Sequence, residues 1–156
     1  PNNQPDLALY SYCVERQLKP EARKDIIELL EEVDIIPNAM IDISDGLSSE
    51  IFHLCKASAV GCDIYEDKLP ADPQTSSTAE EFKMNSSTAL MNGGEDYELL
   101  MAIKTKDYEK IKGHPLLTTI GHFTDQKEVC NMITGLGQSI PLEAQGWKNF
   151  NKNTSA

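Results

Sequence analysis

The sequence predicts an α+β domain, with a mixed sheet flanked by helices. Two segments with helical periodicity, 20–33 and 47–59, alternate with two short segments, 39–44 and 62–66, whose apolar and β-branched residues indicate strands. In the last third, short turns containing glycine join the candidate strands, which is typical of hairpins and disfavours a purely parallel sheet. A length of 156 residues fits one domain.

The first helix is predicted over residues 20–33. Pro20 suits a first turn, where its missing N–H costs no hydrogen bond. Apolar residues recur at helical spacing and define one buried face: Ile26, Ile27, Leu29, Leu30 and Val33. The opposite face is solvated and holds three glutamates: Glu28, Glu31 and Glu32.

A strand and a second helix follow the first helix. The segment 39–44 predicts a short strand, and Asp45-Gly46 turns the chain. The helix predicted over 47–59 has one apolar face, and Gly61 is expected to close it as a C-terminal glycine. That face consists of Leu47, Ile51, Leu54 and Cys55.

The middle of the chain predicts a strand at 62–66 and then a loop rich in Pro, Ser and Thr. Ser77 and Glu80 have the spacing of a capping box, which predicts a helix from there towards Met91. The polar residues at 85–88 interrupt the apolar pattern, so this helix is expected to be broken.

The remaining predicted elements are short. The paired glycines Gly93 and Gly94 are expected to end the helical region. They are followed by a strand at 97–103, a short helix at 105–112, a strand at 116–123 and short strands between 131 and 149.

The charge of the chain excludes several kinds of partner. Lys and Arg number 14 against 25 Asp and Glu, so the net charge is 14 − 25 = −11. A nucleic-acid-binding surface needs a basic patch, and only two arginines are present. A membrane partner is disfavoured as well, because anionic lipids repel this charge and no apolar run approaches the roughly 18 residues of a membrane span.

The cysteines and the N-terminus bear on the cellular setting. The four cysteines, Cys13, Cys55, Cys62 and Cys130, have no Cys-x-x-Cys spacing, so neither a zinc ribbon nor a redox pair is predicted. Cys55 lies in an apolar stretch and is interpreted as a small core residue. No signal peptide is recognised, so a reduced, cytoplasmic location is expected. The chain starts at Pro1 rather than Met, which suggests a piece of a longer protein.

Common nucleotide-binding and hydrolase motifs are absent from the sequence. There is no Gly-x4-Gly-Lys-Ser/Thr loop, no Gly-x-Gly-x-x-Gly turn and no Gly-x-Ser-x-Gly elbow. These absences argue against P-loop kinases, Rossmann dehydrogenases and ordinary serine hydrolases.

The first candidate site is the acidic segment 41–47. Since side chains alternate along a strand, Asp42 and Ser44 share one face, and the isoleucines beside them take the core face. Asp45 follows where the second helix begins, next to backbone N–H groups that favour a phosphate. Such oxygen ligands suit Mg²⁺, which one or two carboxylates hold together with substrate phosphates. The alternative, favoured by spacing alone, is that Asp45 only caps the helix and Asp42 lies on a solvated face.

The second candidate site is the segment 92–100. Its paired glycines permit a sharp turn and the close approach of another group, and Glu95 and Asp96 follow at the start of a strand. An ordinary helix stop with a polar strand entry is the alternative, again favoured by spacing alone. A third candidate is the single tryptophan, Trp147, which either closes the core or stacks on a planar, cationic ring.

Together these segments resemble the thiamine-monophosphate kinase family, in its C-terminal half. Residues 39–48 match its Asp-x-Ser-Asp-Gly-Leu segment, and residues 93–99 match its Gly-Gly-Glu-Asp-Tyr-Glu-Leu segment. Weaker matches are Arg16 with the stretch 20–23, and the closing 146–150, where Asn149 replaces the family's usual His.

The resemblance implies that a phosphoryl group of ATP is transferred to thiamine monophosphate, giving thiamine diphosphate, with Mg²⁺ as cofactor. It implies that Asp42 and Asp45 are catalytic magnesium ligands and that Ser44 contacts ATP. It also implies that Glu95 contacts thiamine monophosphate and that Trp147 lines the site of its ring. Because the acceptor is already an anion, such catalysis needs positioning and charge neutralisation rather than a strong base.

The resemblance also implies a domain organisation, with the fold of the aminoimidazole ribonucleotide synthetase superfamily. Residues 1–156 would be one C-terminal domain with loose ends at 1–9 and 151–156. An N-terminal domain outside this sequence would supply further aspartates, much of the ATP site and the contacts of the usual homodimer. The isolated 156 residues are therefore expected to be inactive.

Two other functions stay open at this point. The first is another ATP-using enzyme of the same superfamily, of the hydrogenase-maturation or selenophosphate type. A hydrogenase-maturation factor would carry a C-terminal cysteine, whereas this chain ends in Asn-Thr-Ser-Ala. The second is a non-catalytic binding domain in which the acidic cluster is only structural.

Overall fold

The computed structural model describes residues 7–143, which form an α+β fold and confirm the predicted class. The α-helices are α1 Ser11–Leu18, α2 Lys24–Glu32, α3 Leu47–Ser58, α4 Pro73–Glu81, α5 Ser86–Asn92 and α6 Tyr108–Ile111. The strands are β1 Ala39–Asp42, β2 Gly61–Tyr65, β3 Leu99–Ala102, β4 Gly121–Thr124, β5 Cys130–Ile133 and β6 Ser139–Pro141. Short 3₁₀ helices lie at Leu7–Tyr10, Glu66–Lys68 and Thr105–Asp107. No helix in this part of the chain is long and apolar enough to cross a membrane.

The strands form two sheets. One is a two-stranded antiparallel pair of β1 and β3. The other has the order β4-β2-β5-β6 and is mixed, because β2 runs antiparallel to β4 and parallel to β5. The predicted mixed sheet is thus present, and the strand that holds the first acidic segment belongs to the separate pair.

Two apolar clusters stabilise this arrangement, and the β1–β3 pair lies between them. The larger cluster packs α3 against β2 and β5, with Leu100 of β3 at its edge. The smaller cluster is built on Ile26, Leu30 and Ile35, against which Leu99 and Met101 of β3 pack. Alternate side chains of β3 therefore anchor it to both clusters, which fixes the position of the strand that follows the second candidate segment.

The first helix that the sequence predicts corresponds to α2 and begins later than predicted. Helix α2 starts at Lys24 rather than at Pro20, and Arg23 occupies its N-cap position. Upstream, residues 7–18 form a 3₁₀ turn and α1, which the sequence does not predict. No residue of either element is buried, so neither leaves the apolar stripe that identifies a helix in a sequence.

The prediction of a capping box at Ser77 and Glu80 is wrong. Helix α4 begins at Pro73, because the Asp72 carboxylate accepts a hydrogen bond from the Gln74 N–H at 2.7 Å and caps the helix. Ser77 lies inside α4, where its hydroxyl donates to the Gln74 carbonyl at 3.1 Å. The predicted break is present, since a new helix, α5, starts after Asn85.

Gly61 does not close α3. The helix ends at Ala59, which adopts the left-handed conformation with φ 53°. Gly61 is the first residue of β2, where a Cβ would lie 2.1 Å from the Gln126 carbonyl oxygen and 2.3 Å from that of Val129. Glycine is required here by the close approach of another backbone rather than by a helix end.

Candidate functional site

The two candidate segments lie side by side, although about fifty residues separate them in the chain. Beyond the last residue pair of β1 and β3, Ile43 N–H donates to the Glu98 carbonyl at 2.8 Å and Tyr97 N–H donates to the Ile43 carbonyl at 2.9 Å. Glu95 N–H then donates to the Ser44 carbonyl at 2.8 Å. The antiparallel pairing thus continues into both loops and joins the two segments in one site.

Glycine is required at two points of this contact. A Cβ on Gly94 would lie 2.7 Å from the Ser44 carbonyl oxygen. Gly46 has φ +118°, and a Cβ there would lie 3.1 Å from the backbone carbonyl carbon of Asn92. Both glycines therefore serve to bring one segment's backbone against the other.

Glu50, in the first turn of α3, organises the acidic loop from below. Its side chain is buried, with only 2% of its surface exposed. One carboxylate oxygen, Oε1, accepts hydrogen bonds from Ser44 N–H at 3.2 Å, Ser44 Oγ at 3.1 Å and Asp45 N–H at 3.0 Å. The other oxygen, Oε2, has no hydrogen-bond partner among the described residues. A single buried carboxylate thus fixes the backbone that presents Asp42 and Asp45.

Asp42 and Asp45 are exposed and line an open groove of about 530 Å³. Ser44, Glu50 and His53 also line this groove, together with apolar residues. Within residues 7–143, the two aspartates do not belong to any group of three side chains whose ligand atoms lie mutually within 4.8 Å. A donor set of two accessible carboxylates and a hydroxyl fits Mg²⁺, which takes only one or two protein carboxylates and otherwise binds water and phosphate oxygens.

A chain of ion pairs fixes the second segment to the first two helices. The Glu98 carboxylate accepts hydrogen bonds from both Arg16 and Arg23. Arg23 also forms a two-point contact with Asp25, through Nε to Oδ1 at 3.0 Å and Nη2 to Oδ2 at 2.8 Å. These hydrogen bonds from Arg23 hold the pKa of Asp25 below its usual value. Arg16 and Arg23, the only two arginines of the chain, thus hold the site's scaffold together.

The loop between the glycines and β3 has unusual backbone angles. Glu95 has φ 65° and Tyr97 has φ 51°, both in the left-handed region that disfavours residues with side chains. The loop is stabilised by Gln17, whose amide donates to the Glu95 carboxylate, and by Arg16, which donates to the Asp96 carbonyl at 3.4 Å. Desolvation raises the pKa of Asp96, an effect that Arg16 opposes. Backbone strain of this kind concentrates at functional sites.

Replacing Glu98 by Gln is expected to lower the free energy of unfolding by about 1–2 kcal/mol, because it removes the charge from two partly exposed arginine contacts. Urea denaturation monitored by circular dichroism measures the change. Glu15→Gln is the matched control, since it removes only the exposed pair with Lys19 at 3.4 Å and should change stability by less than about 0.5 kcal/mol. Equal effects of the two substitutions would contradict a structural role of the Glu98 contacts.

The structure brings most of the predicted site residues together. Asp42, Ser44, Asp45 and Glu95 all lie where the two segments meet, whereas Trp147 lies outside the described residues. Glu50 is a residue that the sequence analysis missed. A signal was present, because Glu50 stands three residues after Leu47 and four before Leu54, on the apolar face of α3.

The chain matches known kinases over nearly its whole length. No family model matches it. A thiamine-monophosphate kinase from Aquifex aeolicus is 31% identical over 140 residues, which is 88% of this chain and 41% of the relative. A thiamine-monophosphate kinase from Buchnera aphidicola subsp. Schizaphis graminum is 30% identical over 153 residues, which is 93% of this chain and 45% of that relative. The chain is homologous to thiamine-monophosphate kinases.

Solved structures of thiamine-monophosphate kinases share this fold. Thiamine monophosphate kinase from Aquifex aeolicus superposes with a TM-score of 0.69 at 26% identity and covers 90% of this chain. AaThiL complexed with AMPPCP and TMP superposes with a TM-score of 0.73 at 28% identity, over 96% of this chain and 44% of that one. The hydrogenase maturation protein HypE of E. coli, with a TM-score of 0.65 at 18% identity, shares the fold alone. The resemblance predicted from the two segments is confirmed, and the chain spans less than half the length of these relatives.

Proposed function

We propose that this chain is part of a kinase that transfers a phosphoryl group from ATP to thiamine monophosphate, forming thiamine diphosphate. The observation that carries the proposal is the backbone pairing that joins the second acidic segment to the loop whose Asp42 and Asp45 line the groove, in a chain 31% identical to a thiamine-monophosphate kinase. The fold of AaThiL complexed with AMPPCP and TMP supports a site for a nucleotide and a second phosphate.

Asp42 and Asp45 would hold Mg²⁺ through their exposed carboxylates, which Glu50 positions through the loop backbone. The bound metal would neutralise negative charge between the two phosphates. The Ser44 hydroxyl donates a hydrogen bond to the Glu50 carboxylate, so the lone pairs of its oxygen would be free to accept a hydrogen bond from ATP. The N-terminus of α3 at Leu47 adds a positive end of a helix dipole beside this groove.

Glu95 would contact thiamine monophosphate, whose thiazolium ring is cationic and attracts a carboxylate. The hydrogen bond from Gln17 holds the Glu95 side chain in one orientation while leaving it exposed to a ligand. No strong base is needed, because the attacking group is already a phosphate anion. The role of Trp147 at the ring of this substrate stays a prediction.

The chain spans 41% of its Aquifex relative, so further residues of a complete polypeptide would supply the remaining parts of the activity. Those residues would complete the ATP site and form a homodimer, with the present chain as the C-terminal domain. On this proposal the isolated 156 residues do not turn over substrate.

The test is a phosphorylation assay on the complete polypeptide that contains these residues. With ATP, Mg²⁺ and thiamine monophosphate, we expect thiamine diphosphate to form, and chromatography of the thiamine esters measures it. Removing Mg²⁺ with EDTA or replacing the acceptor by thiamine should abolish product. A folded polypeptide that forms no thiamine diphosphate would refute the proposed activity. Turnover by the isolated 156 residues would refute the proposal that further residues of a complete polypeptide are required.

A further inference from the structure

One histidine lines the acidic groove without a role in the proposed function. His53 lies in the middle of α3 and faces the same groove as Asp42 and Asp45. Its side chain is exposed, so a ligand in the groove can reach it. Within residues 7–143, the imidazole ring has no hydrogen-bond or ion-pair partner. His53 is therefore available to bind something that the chain itself does not provide.

Both walls of the groove change from acidic to apolar in the same direction. On β1, Asp42 and Met40 are both exposed and share one face, since side chains two residues apart point the same way. On α3, the groove-lining residues Glu50, His53 and Ala57 follow one stripe of the helix. Because the chain turns back between β1 and α3, the carboxylates lie together at the loop end. His53 lies next to that end, one helical turn or about 5 Å along the axis from Glu50.

His53 supplies a kind of hydrogen-bond donor that the groove otherwise lacks. The polar side chains that line the groove are Asp42, Ser44, Asp45, Glu50 and His53. Ionised carboxylates only accept hydrogen bonds, and the Ser44 hydroxyl already donates to Glu50 at 3.1 Å. An imidazole ring carries at least one N–H in either protonation state. Among the described residues that line the groove, His53 is thus the one side chain with an uncommitted proton to donate.

A phosphate oxygen is the ligand group that best fits this donor. Exposed carboxylates repel a phosphate, so a phosphate in this groove requires N–H donors in addition to a metal ion. A hydrogen bond from an N–H to a phosphate is charge-assisted and about twice as strong as one between neutral groups. The volume of about 530 Å³ equals that of a sphere about 10 Å across, so one phosphorylated ligand can span the acidic end and His53. Mg²⁺ prefers oxygen ligands, which disfavours the ring as a metal ligand.

We propose that His53 is a phosphate-binding residue, whose ring N–H donates a hydrogen bond to a phosphate oxygen of ATP or of thiamine monophosphate. The inference rests on the proposed function, because that function brings both phosphates into the groove. The hydrogen bond holds the phosphate in one orientation relative to Asp42 and Asp45, which is how positioning contributes to phosphoryl transfer.

The test is a pair of calorimetric titrations of the complete polypeptide in the presence of Mg²⁺, one with the ATP analogue AMPPCP and one with thiamine monophosphate. His53→Ala should weaken the binding of at least one of these ligands about 10- to 100-fold, because it removes a hydrogen bond to a charged group. A larger loss for AMPPCP assigns the contact to the nucleotide, and a larger loss for thiamine monophosphate assigns it to the acceptor. His53→Gln keeps an N–H donor and should recover at least about threefold of the lost affinity.

His122→Ala is the matched control, since His122 is also exposed but lies on β4 in the other sheet, within 3.2 Å of the Tyr65 hydroxyl. It should leave both dissociation constants within about twofold. Circular dichroism and the urea midpoint of His53→Ala should match those of the wild type, because the side chain is exposed.

Three results would overturn the assignment of His53. They are a wild-type polypeptide that binds neither ligand, a His53→Ala variant that binds both ligands as the wild type does, and a loss that His53→Gln does not restore even in part. No turnover is measured in these titrations. A polypeptide that binds AMPPCP through His53 but forms no thiamine diphosphate would therefore refute the proposed function and leave the phosphate contact standing.

Discussion

Replacing Asp42 and Asp45 together by Asn is expected to reduce thiamine diphosphate formation by the complete polypeptide at least about a thousandfold. Each Asn keeps the size of the side chain and removes the negative charge on which Mg²⁺ binding depends. Losing a metal's stabilisation of the developing charge costs several kcal/mol, and each 1.36 kcal/mol corresponds to about tenfold in rate. Each single variant should retain some activity and require a higher Mg²⁺ concentration.

Steady-state rates at a series of Mg²⁺ concentrations measure this effect. The matched control is Asp67→Asn, an exposed carboxylate in the 3₁₀ helix Glu66–Lys68, which should leave the rate within about twofold. Circular dichroism should show the same fold in all variants, since Asp42 and Asp45 are exposed. Undiminished turnover by the double variant would favour the alternative in which the acidic cluster is only structural.

The elements that could be predicted are those whose pattern is local. The predicted limits of β1 and α3 are nearly correct, since β1 ends two residues and α3 one residue before the predicted end. The agreement is close because alternating β-branched residues and an apolar helical face are local patterns that can be recognised in the sequence. Strands β3 and β4 are shorter than predicted. Leu116 lies outside the paired residues of the sheet, and at Tyr97 the strand gives way to a loop that keeps single backbone hydrogen bonds to Ile43. A hydrophobic run in the sequence indicates that its residues pack in a core, whereas hydrogen bonding to a neighbouring strand determines where the strand begins and ends.

Two predicted helix starts are wrong, because the sequence holds more than one start signal near each of them. Pro20 and the Ser77 capping box are both valid start signals, and in each case a different residue determines the start. At α4, Asp72 with Pro73 at the first helical position prevails over Ser77. At α2, the side chain of Arg23 forms ion pairs with Asp25 and Glu98. These contacts, rather than helical hydrogen bonding, determine the conformation of the residues before Lys24.

The candidate site could be predicted in its residues but not in its construction. The oxygen ligands were visible as two acidic segments, yet their union depends on the pairing of β1 with β3, which spacing does not encode. The site arises from contacts between residues far apart in sequence, and such contacts follow from packing rather than periodicity.

The second large effect is expected at Glu50. Replacing Glu50 by Ala should lower the free energy of unfolding by about 3–5 kcal/mol, because it empties a buried volume and leaves two backbone N–H groups without an acceptor. Removing a buried charge offsets part of this cost, since Oε2 has no partner among the described residues. The loss of three hydrogen bonds to Oε1 outweighs that gain.

Glu50→Gln separates the charge from the hydrogen bonds. Its amide oxygen can accept from Ser44 and Asp45 as Oε1 does, so we expect it to recover at least half of the stability lost in Glu50→Ala. Urea denaturation measures both variants. Glu28→Ala, an exposed substitution in α2, is the control and should change stability by less than about 0.5 kcal/mol. If Glu50→Ala were no more destabilising than Glu28→Ala, the acidic loop would hold its shape without Glu50. The positioning of Asp42 and Asp45 would then rest on the β1–β3 pairing alone.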